Sequence, residues 1–520
     1  MIRLRNLSLS PEDGEAALLQ KAEECIKTDI LSWRLARRSV DARRKQDVRL
    51  IYALDLAVAD EAAVLLRCQN AVPTPEVRYA PPRPAHVPES RPVIVGFGPA
   101  GMFAGLALAL AGLRPIILER GEPGDRRAEK IARMRREGVL DPESNMQFGE
   151  GGAGAFSDGK LTTGVKDPRI PWVLAQLVQA GAPPEIAYDA KPHIGTDLLP
   201  GVCAGIRRRI ESLGGEIRFS QKLADLEAED GVLTAAVTEA ERIPCAQLIL
   251  ACGHSARDTF ELLCKLSIPM APKAFAMGVR IEHLQADIDS AQYGPFAGHP
   301  NLPPADYSLA CQLPSGRRCY TFCMCPGGEV VPAASEPGRL CVNGASPYKR
   351  NYVNSNAALL AAVAPEDFPY SGILGGMEWQ RQLEQAAYEA AGGGYRAPVE
   401  TVGSFIAGHA PKTARIIPSY TPGVTETRLR DFLPPVIADT IGSALPIFGR
   451  KLRGFDAPDA ILTGPECRSS SPVRLARDEY LQSPALRGLY PCGEGAGWAG
   501  GIMSAALDGL KCAEALIRQL

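Results

Sequence analysis

Apolar and polar residues alternate over residues 2–9 with the period of two that lays one face of a strand on a core. Over residues 11–26 the apolar spacing lengthens to that of a helix, with Ser10 placed as its N-cap. Residues 31–40 and 48–58 read as two more strands, and a short helix runs to Leu66. The pattern then breaks. Residues 71–92 hold seven prolines in 22 positions, a composition that favours extended polyproline conformation and acts as a semi-rigid spacer. Residues 1–70 are therefore expected to form a small α+β domain, and 71–91 a proline-rich linker.

From residue 93 to about 270, short apolar strands alternate with helix-like segments, the signature of a parallel α/β sheet. The most apolar stretch, residues 100–113, is 14 residues long. A membrane-spanning helix needs about 20, so this one is expected to be buried in protein. Residues 271–455 are rich in Pro and Gly, with short strand-like pieces such as 318–324, and read as an inserted α+β domain. Residues 456–520 return to strand, glycine turn and helix. The expected layout is one α/β domain over 92–270 and 456–520, interrupted by a substrate or cap domain over 271–455. No internal repeat is visible.

The run Val93-Ile94-Val95-Gly96-Phe97-Gly98-Pro99-Ala100-Gly101 is an apolar strand entering G-x-G-x-x-G. Gly96 makes a tight turn, Gly98 admits a pyrophosphate close to the backbone, and Gly101 lets helix and strand pack closely. The following helix points its amides and positive dipole end at the phosphates. A second strand over 115–118 ends in Glu119, 18 residues past Gly101, where a carboxylate accepts hydrogen bonds from ribose hydroxyls. Gly96, Gly98, Pro99, Ala100, Gly101, Glu119 and the adjoining Arg120 are the first set of candidate nucleotide contacts. By themselves they do not separate FAD from NAD.

A second set lies near the C-terminus. Residues 488–496 read as a strand ending in Gly493 and Glu494, and Gly497-Trp498-Ala499-Gly500-Gly501 opens an apolar helix at Ile502. This resembles the closing FAD motif of glutathione-reductase-like flavoproteins. The resemblance implies that Glu494, standing where that family more often has Asp, holds a ribityl hydroxyl. It implies too that the amides at Gly500, Gly501 and Ile502 face the flavin pyrimidine edge, where a helix start favours negative charge. Residues 247–253 resemble the same family's apolar strand ending in Ala-Thr-Gly, here Ala251, Cys252 and Gly253. Residues 214–219 followed by Leu223 resemble the strand that passes the adenine. The cofactor so implied is FAD, in a Rossmann-like domain of glutathione-reductase type.

The stretch Asn145-Met146-Gln147-Phe148-Gly149-Glu150-Gly151-Gly152-Ala153-Gly154-Ala155-Phe156-Ser157-Asp158-Gly159-Lys160-Leu161 is too glycine-rich for a packed helix or strand. It is expected to be a loop laid against a flat ligand, its amides donating to phosphate, ribityl or flavin atoms. Its candidate contacts are Gly152, Ala153, Gly154, Ser157, Asp158, Lys160 and Leu161. With Arg257 in GHSARDTF and the Cys-Met-Cys-Pro-Gly-Gly run, it makes the whole chain resemble a poorly characterised family of bacterial FAD-dependent dehydrogenases. That resemblance implies a cofactor and a fold, and no substrate.

Composition narrows the classes. Hydrophobic residues make up 46% and charged residues 22%, an ordinary globular mixture, and the net charge of -2 predicts no bulk attraction to nucleic acid or anionic membrane. The start MIRLRNLSLS has no apolar signal-peptide core, and 14 scattered cysteines suit a reducing cytoplasm. No Cys-x-x-Cys, zinc pattern or Gly-x-Ser-x-Gly elbow occurs. Cys323 and Cys325 would share a strand face, as small buried apolar groups or as a metal or redox pair. No metal is expected.

The expected activity is FAD-dependent oxidoreduction of a small molecule, by hydride or electron transfer through the flavin. The inserted domain offers Arg280, His283, Arg317, Tyr320 and Lys349 for the pocket's far wall, and His254 follows the 247–253 strand; no catalytic constellation emerges from them. A second nucleotide fingerprint is missing, so electrons would come from the substrate, a transient NAD(P)H or a protein carrier. Two rival readings exist. The basic run Arg34, Arg37, Arg38, Arg43, Arg44, Lys45 and Arg49 would suit a flavin-dependent RNA-modifying enzyme. Alternatively, FAD serves a non-catalytic sensor or structural protein.

Overall fold

A computed structural model describes residues 1–76, 79–408 and 415–520. The chain folds as a mixed α/β protein around several sheets. The first is a four-stranded antiparallel sheet in the order Ser32–Asp41, Arg49–Ala57, Ile2–Leu9, Ala71–Pro73. Its alternating apolar face, including Ile2, Leu4, Leu54 and Leu56, packs on the helix Glu15–Ile26 through Leu18, Ala22 and Ile26. That helix begins at Glu15 rather than at Pro11. Ser10 and Asp13 close a turn on themselves instead: the Ser10 amide donates to Asp13 Oδ2 (2.8 Å) and the Asp13 amide to the Ser10 carbonyl (3.1 Å). These short side chains compete with the first helical turn, and Gly14 takes the N-cap position in place of Ser10.

The proline-rich stretch is docked on the protein. Ala71–Pro73 pairs with residues 2–4, the Tyr79 hydroxyl donates to Glu514 (2.8 Å), and the His86 amide donates to the Leu520 carbonyl (3.2 Å). The basic run is largely occupied by ion pairs. Arg38 holds Asp189 with two bonds (2.8 and 3.1 Å), Arg34 reaches Asp55, and Arg43 and Arg49 pair with Asp41 and Asp47.

The central element is a five-stranded sheet in the order Leu489–Pro491, Leu248–Leu250, Val93–Val95, Ile116–Glu119, Glu216–Phe219, with every pair parallel. The three inner strands are apolar, Glu119 at the end of its strand excepted, because both faces are covered, whereas the edge strand Glu216–Phe219 carries Glu216 and Arg218. The helix Pro99–Leu110 is buried, as its composition requires, and lies against the helices Leu199–Ser212 and Ile502–Arg518. Among the described residues no helix is long and apolar enough to cross a membrane. A three-stranded antiparallel sheet (Leu223–Glu229, Val232–Thr238, Arg242–Pro244) precedes the strand at 248.

The second large sheet has seven strands. Its order is Ala310–Gln312, Arg318–Cys325, Asn354–Val363, Phe275–Leu284, Ile461–Glu466, Ala397–Thr401, Val424–Glu426. It is antiparallel except for its last pair. The helix Pro435–Lys451 buries Ile437, Ile441, Leu445 and Phe448 against it. Ile461–Glu466 belongs to this sheet rather than to the strand–turn–helix that closes the chain, because its Thr463 and Leu462 pair with Arg280 and Ile281 on one side and with Val399 and Glu400 on the other.

Gly509 sits where the 502–518 helix crosses the 99–110 helix, and a Cβ there would lie 2.1 Å from the Ala100 carbonyl oxygen. Gly509→Val should force the helices apart and cost about 3 kcal/mol of stability. Urea denaturation checks this: an unchanged midpoint would mean the helices do not cross at Gly509.

Candidate functional site

Strand Val93–Val95 is the middle strand of the parallel sheet, with Ile116–Glu119 on one side and Leu248–Leu250 on the other, so the strand order reverses there. A crevice opens at the carboxyl ends of such strands. At its floor the Gly96 amide donates to the Leu118 carbonyl (2.7 Å) with φ 99°, and a Cβ on Gly96 would stand 2.3 Å from the Ala251 carbonyl oxygen. Gly101 packs still closer, with 1.9 Å from an added Cβ to the Gly96 oxygen. Glu119 is buried. Its Oε2 accepts from the Phe97 amide (2.8 Å), and its Oε1 from the amides of Gly121 (2.9 Å) and Gly149 (2.8 Å). One carboxylate therefore ties together the first glycine turn, its own strand end and the glycine-rich loop.

That loop crosses the first turn. The Gly151 amide donates to the Phe97 carbonyl (2.9 Å), and a Cβ on Gly152 would lie 3.0 Å from Gly98 Cα. Buried Arg127 clamps the loop from behind, donating to the carbonyls of Asn145 (2.9 Å), Glu150 (2.6 Å) and Gly149 (3.3 Å), with its guanidinium 4.8 Å from the Phe156 ring centre. Burial pushes Arg127 down to about 10. The loop's large side chains are thus anchors, and its residues 152–156 form a single 3-10 turn.

One cavity of about 370 Å³ runs along this edge. At one end stand Glu119, Arg120, Gln221, Lys222 and Leu223, and at the other Lys160, Glu494, Gly500, Gly501 and Ile502. Between them lie Gly96, Gly98, Pro99, Ala100, Gly152, Ala153, Gly154, Ser157, Ala251, Cys252 and Gly253. Neither the helix starting at Pro99 nor the one starting at Ile502 has a side-chain cap on its first amides. Four residues of the expected set stand off the cavity wall. Gly101 packs on Gly96, and Leu161 is in the core. The Gly493 amide donates to Asp508 (2.7 Å). Asp158 is buried and takes two bonds from Arg350 (2.7 and 3.1 Å), which offset the cost of removing its charge from water.

The inserted sheet supplies the far wall, with residues that sequence spacing did not single out. These are Phe322, Asn343, Glu466, Arg468 and Ser469, joined by Cys323. Arg280 lies beneath them, fully buried. It donates to Glu466 Oε2 (2.8 Å), Asn356 (2.7 Å) and the Cys323 carbonyl (2.8 Å). Burial pushes Glu466 up to about 7, with Arg280 opposing, and burial likewise pushes Glu494 up to about 7. Arg468 is held by both oxygens of buried Glu384 (2.7 Å each), which also takes Arg257 (2.8 and 3.0 Å). His254 lines the cavity beside them. Burial, then Arg468 and Arg257, lower it to about 3, so the ring is neutral, with Nδ1 3.0 Å from Ser255 Oγ.

The other expected wall residues lie elsewhere. His283 Nε2 contacts the Phe455 carbonyl (2.8 Å) inside an aromatic cluster, and Arg317 pairs with Asp367 (2.7 and 3.0 Å). Tyr320 covers a small apolar cluster and Lys349 is exposed. The signal for the missed pair was Glu466 and Arg468 closing an otherwise apolar strand at Ile461 and Leu462, where buried charges demand partners.

The family model for the C-terminal domain of FAD-dependent proteins matches residues 274–469, and a domain of unknown function matches residues 1–57. A protein of Clostridium beijerinckii described as uncharacterized is 46% identical over 526 residues, covering 100% of this chain and 99% of its own length. The chain belongs to this poorly characterised family of FAD-dependent proteins, and its cofactor is FAD. Among solved structures, the glycerol-3-phosphate dehydrogenase of Bacillus halodurans complexed with FAD is 10% identical, covers 82% of this chain and 64% of its own, and gives a TM-score of 0.36. Glycine oxidase from Bacillus cereus is 11% identical, with 82% and 95% covered and a TM-score of 0.32. Likenesses this loose carry no argument about the site.

The raised value of Glu494 has a definite sign for stability. Its folded value of about 7 lies above the ordinary 4.5, so the fold favours the protonated acid. That stabilisation is complete below the ordinary value and is lost as pH rises through about 7. In flavin-free protein, Glu494→Gln should flatten this fall, which amounts to at most about 3 kcal/mol. Thermal melts between these limits check it; parallel curves for the two proteins would contradict the burial of the acid.

Proposed function

We propose that this chain is an FAD-dependent oxidoreductase whose FAD lies along the cavity from Glu119 to the start of the 502–518 helix. A small-molecule substrate would meet it at the end walled by the seven-stranded sheet. The observation that carries this reading is that the Gly96 turn and the Glu494 turn, nearly four hundred residues apart, open into one cavity. The residues fit such a guest. Backbone crosses backbone at Gly98 and Gly152 with no side chain to fill the cradle, and two uncapped helix starts face it. Gly98, Ala100 and Gly152 would hold the pyrophosphate. Glu119 would hold the adenosine ribose, Glu494 a ribityl hydroxyl, and Gly500, Gly501 and Ile502 the edge of the ring. This is the glutathione-reductase arrangement, with 92–270 and 456–520 as the FAD domain, 271–455 as the cap domain that lends the far wall and shares its sheet with the strand Ile461–Glu466, and 1–70 as the small N-terminal domain.

FAD, when bound, supplies two-electron redox chemistry at its ring. The chain's own groups do the rest. Glu466 binds Arg280 through Oε2, which leaves Oε1 to carry a proton near neutral pH. Neutral His254 accepts or donates hydrogen bonds without adding charge. Arg468, fixed on both sides by Glu384, keeps its place at the wall without rotamer freedom. The inserted sheet supports an enzyme over a passive FAD holder, because it brings these titratable groups to the cavity's end. Electrons would enter from the substrate, a transient NAD(P)H or a protein carrier.

Gly98 has φ -79° and its added Cβ would meet only Gly152 Cα, at 3.7 Å. Gly98→Leu should therefore fold yet lose its flavin absorbance, by blocking the pyrophosphate. Stoichiometric flavin in that variant would overturn the assignment. For the wild type, stopped-flow mixing with NADH, NADPH and dithionite should bleach the flavin with at least one donor at a rate that supports turnover. A flavin that no donor reduces would return the reading to a structural cofactor.

A further inference from the structure

Cys323 and Cys325 do not share a plain strand face. The strand Arg318–Cys325 bulges between Phe322 and Cys325, and Cys323 takes the left-handed conformation at φ 42°, which costs a non-glycine residue energy. The kink turns Cys323 onto the cavity wall while Cys325 stays buried behind it. The Cys325 thiol donates to the Cys323 carbonyl oxygen (3.3 Å), which folds the buried sulfur back toward its neighbour. Arg280 Nη2, fully buried, donates to the Cys323 carbonyl (2.8 Å) and to Cys325 Sγ (3.7 Å). The cations Lys160 and Arg280 and the anions Asp158, Glu466 and Glu494 face Cys323.

We propose that Cys323 is a nucleophilic thiolate and Cys325 its resolving partner, and that the substrate class is a small disulfide entering the cavity. This rests on the flavoprotein reading above and deepens it. The electrostatics agree: the neighbouring Cys325 thiol, then Lys160 and Arg280, draw the Cys323 thiol below the ordinary range against the opposing effect of burial, while Cys325 is driven above it. The steps balance. The Cys323 sulfur attacks one sulfur of the disulfide, the S–S bond breaks, and the first thiolate leaves. Cys325 then attacks the Cys323 sulfur and its proton passes to the departing second thiolate. The disulfide has become one thiolate and one thiol, and Cys323 and Cys325 have been oxidised to a disulfide by loss of two electrons. Regenerating the Cys323 thiolate and the Cys325 thiol takes two electrons and one proton, for which the reductant class is a reduced flavin in the same cavity. One thiol alone would halt at the mixed disulfide, so the neighbouring pair is what points to this substrate class.

The test mixes the full-length flavin-loaded protein with dithiobis-nitrobenzoate, without reductant, and counts coloured thiolate. Cys25 is exposed and the other cysteines add background, so Cys323→Ser sets the baseline. Wild type should release two thiolates per chain in a fast burst above that baseline, and Cys325→Ser only one. The burst rate should fall at a pH below that of a free thiol. Quenched wild type should yield a Cys323–Cys325 disulfide on peptide mapping, and the Cys325→Ser variant an adduct on Cys323. A wild-type burst no larger than that of Cys323→Ser, or one that stops at a single thiolate, overturns the proposal. Flavin absorbance, read separately, keeps the two ideas apart: a colourless protein with the full burst would sink the flavin reading alone.

Discussion

Backbone has to lie against backbone at the carboxyl edge of the parallel sheet, and the rest of the molecule is organised around that constraint. At Gly96 against Ala251, Gly152 against Gly98 and Gly509 against Ala100 a single added methyl group would stand 3.0 Å or less from the facing backbone, Gly98 alone having more room. The buried carboxylate of Glu119 holds the approach in place by accepting three amides from three separate segments. The reward is a groove whose lining is mostly amide and glycine, able to take a long anionic nucleotide with little side-chain interference.

A second constraint joins the two large sheets. Glu384, on the helix Gly375–Ala390, is buried between Arg257 of the α/β domain and Arg468 just past the strand Ile461–Glu466. Removing one member of such a cluster strands the others without solvent, a loss of roughly 3–5 kcal/mol. The cluster also carries Arg468 to the cavity. Cys341, Glu384 and Cys467 bring their ligand atoms within 4.8 Å of one another. Two guanidiniums already share that carboxylate, so a further cation would meet charge of its own sign.

The kinked strand at Cys323 and the buried Arg280 beneath it give the far end of the cavity a different character from the end at Glu119. The stretch between is mostly glycine and backbone amide; the far end gathers groups that hold or give protons near neutrality, Glu466 and Glu494, and a neutral His254 lines the cavity too.

The sequence by itself determined the elements whose cause is local. Alternation placed the strand Ile2–Leu9, unbroken apolar runs marked the parallel strands, and the G-x-G-x-x-G turn, the glycine-rich loop and the Gly500–Ile502 helix start were legible because only glycine and amide-rich backbone fit those tasks. Local competition defeated it at Ser10, where a side-chain turn displaced the first helical turn. Only the tertiary structure decided which buried charges would meet. Arg280 with Glu466, Arg350 with Asp158, and Arg257 and Arg468 with Glu384 are pairs 84 to 192 residues apart. No periodicity encodes them, since a buried charge takes whichever partner the packing of distant segments brings within reach.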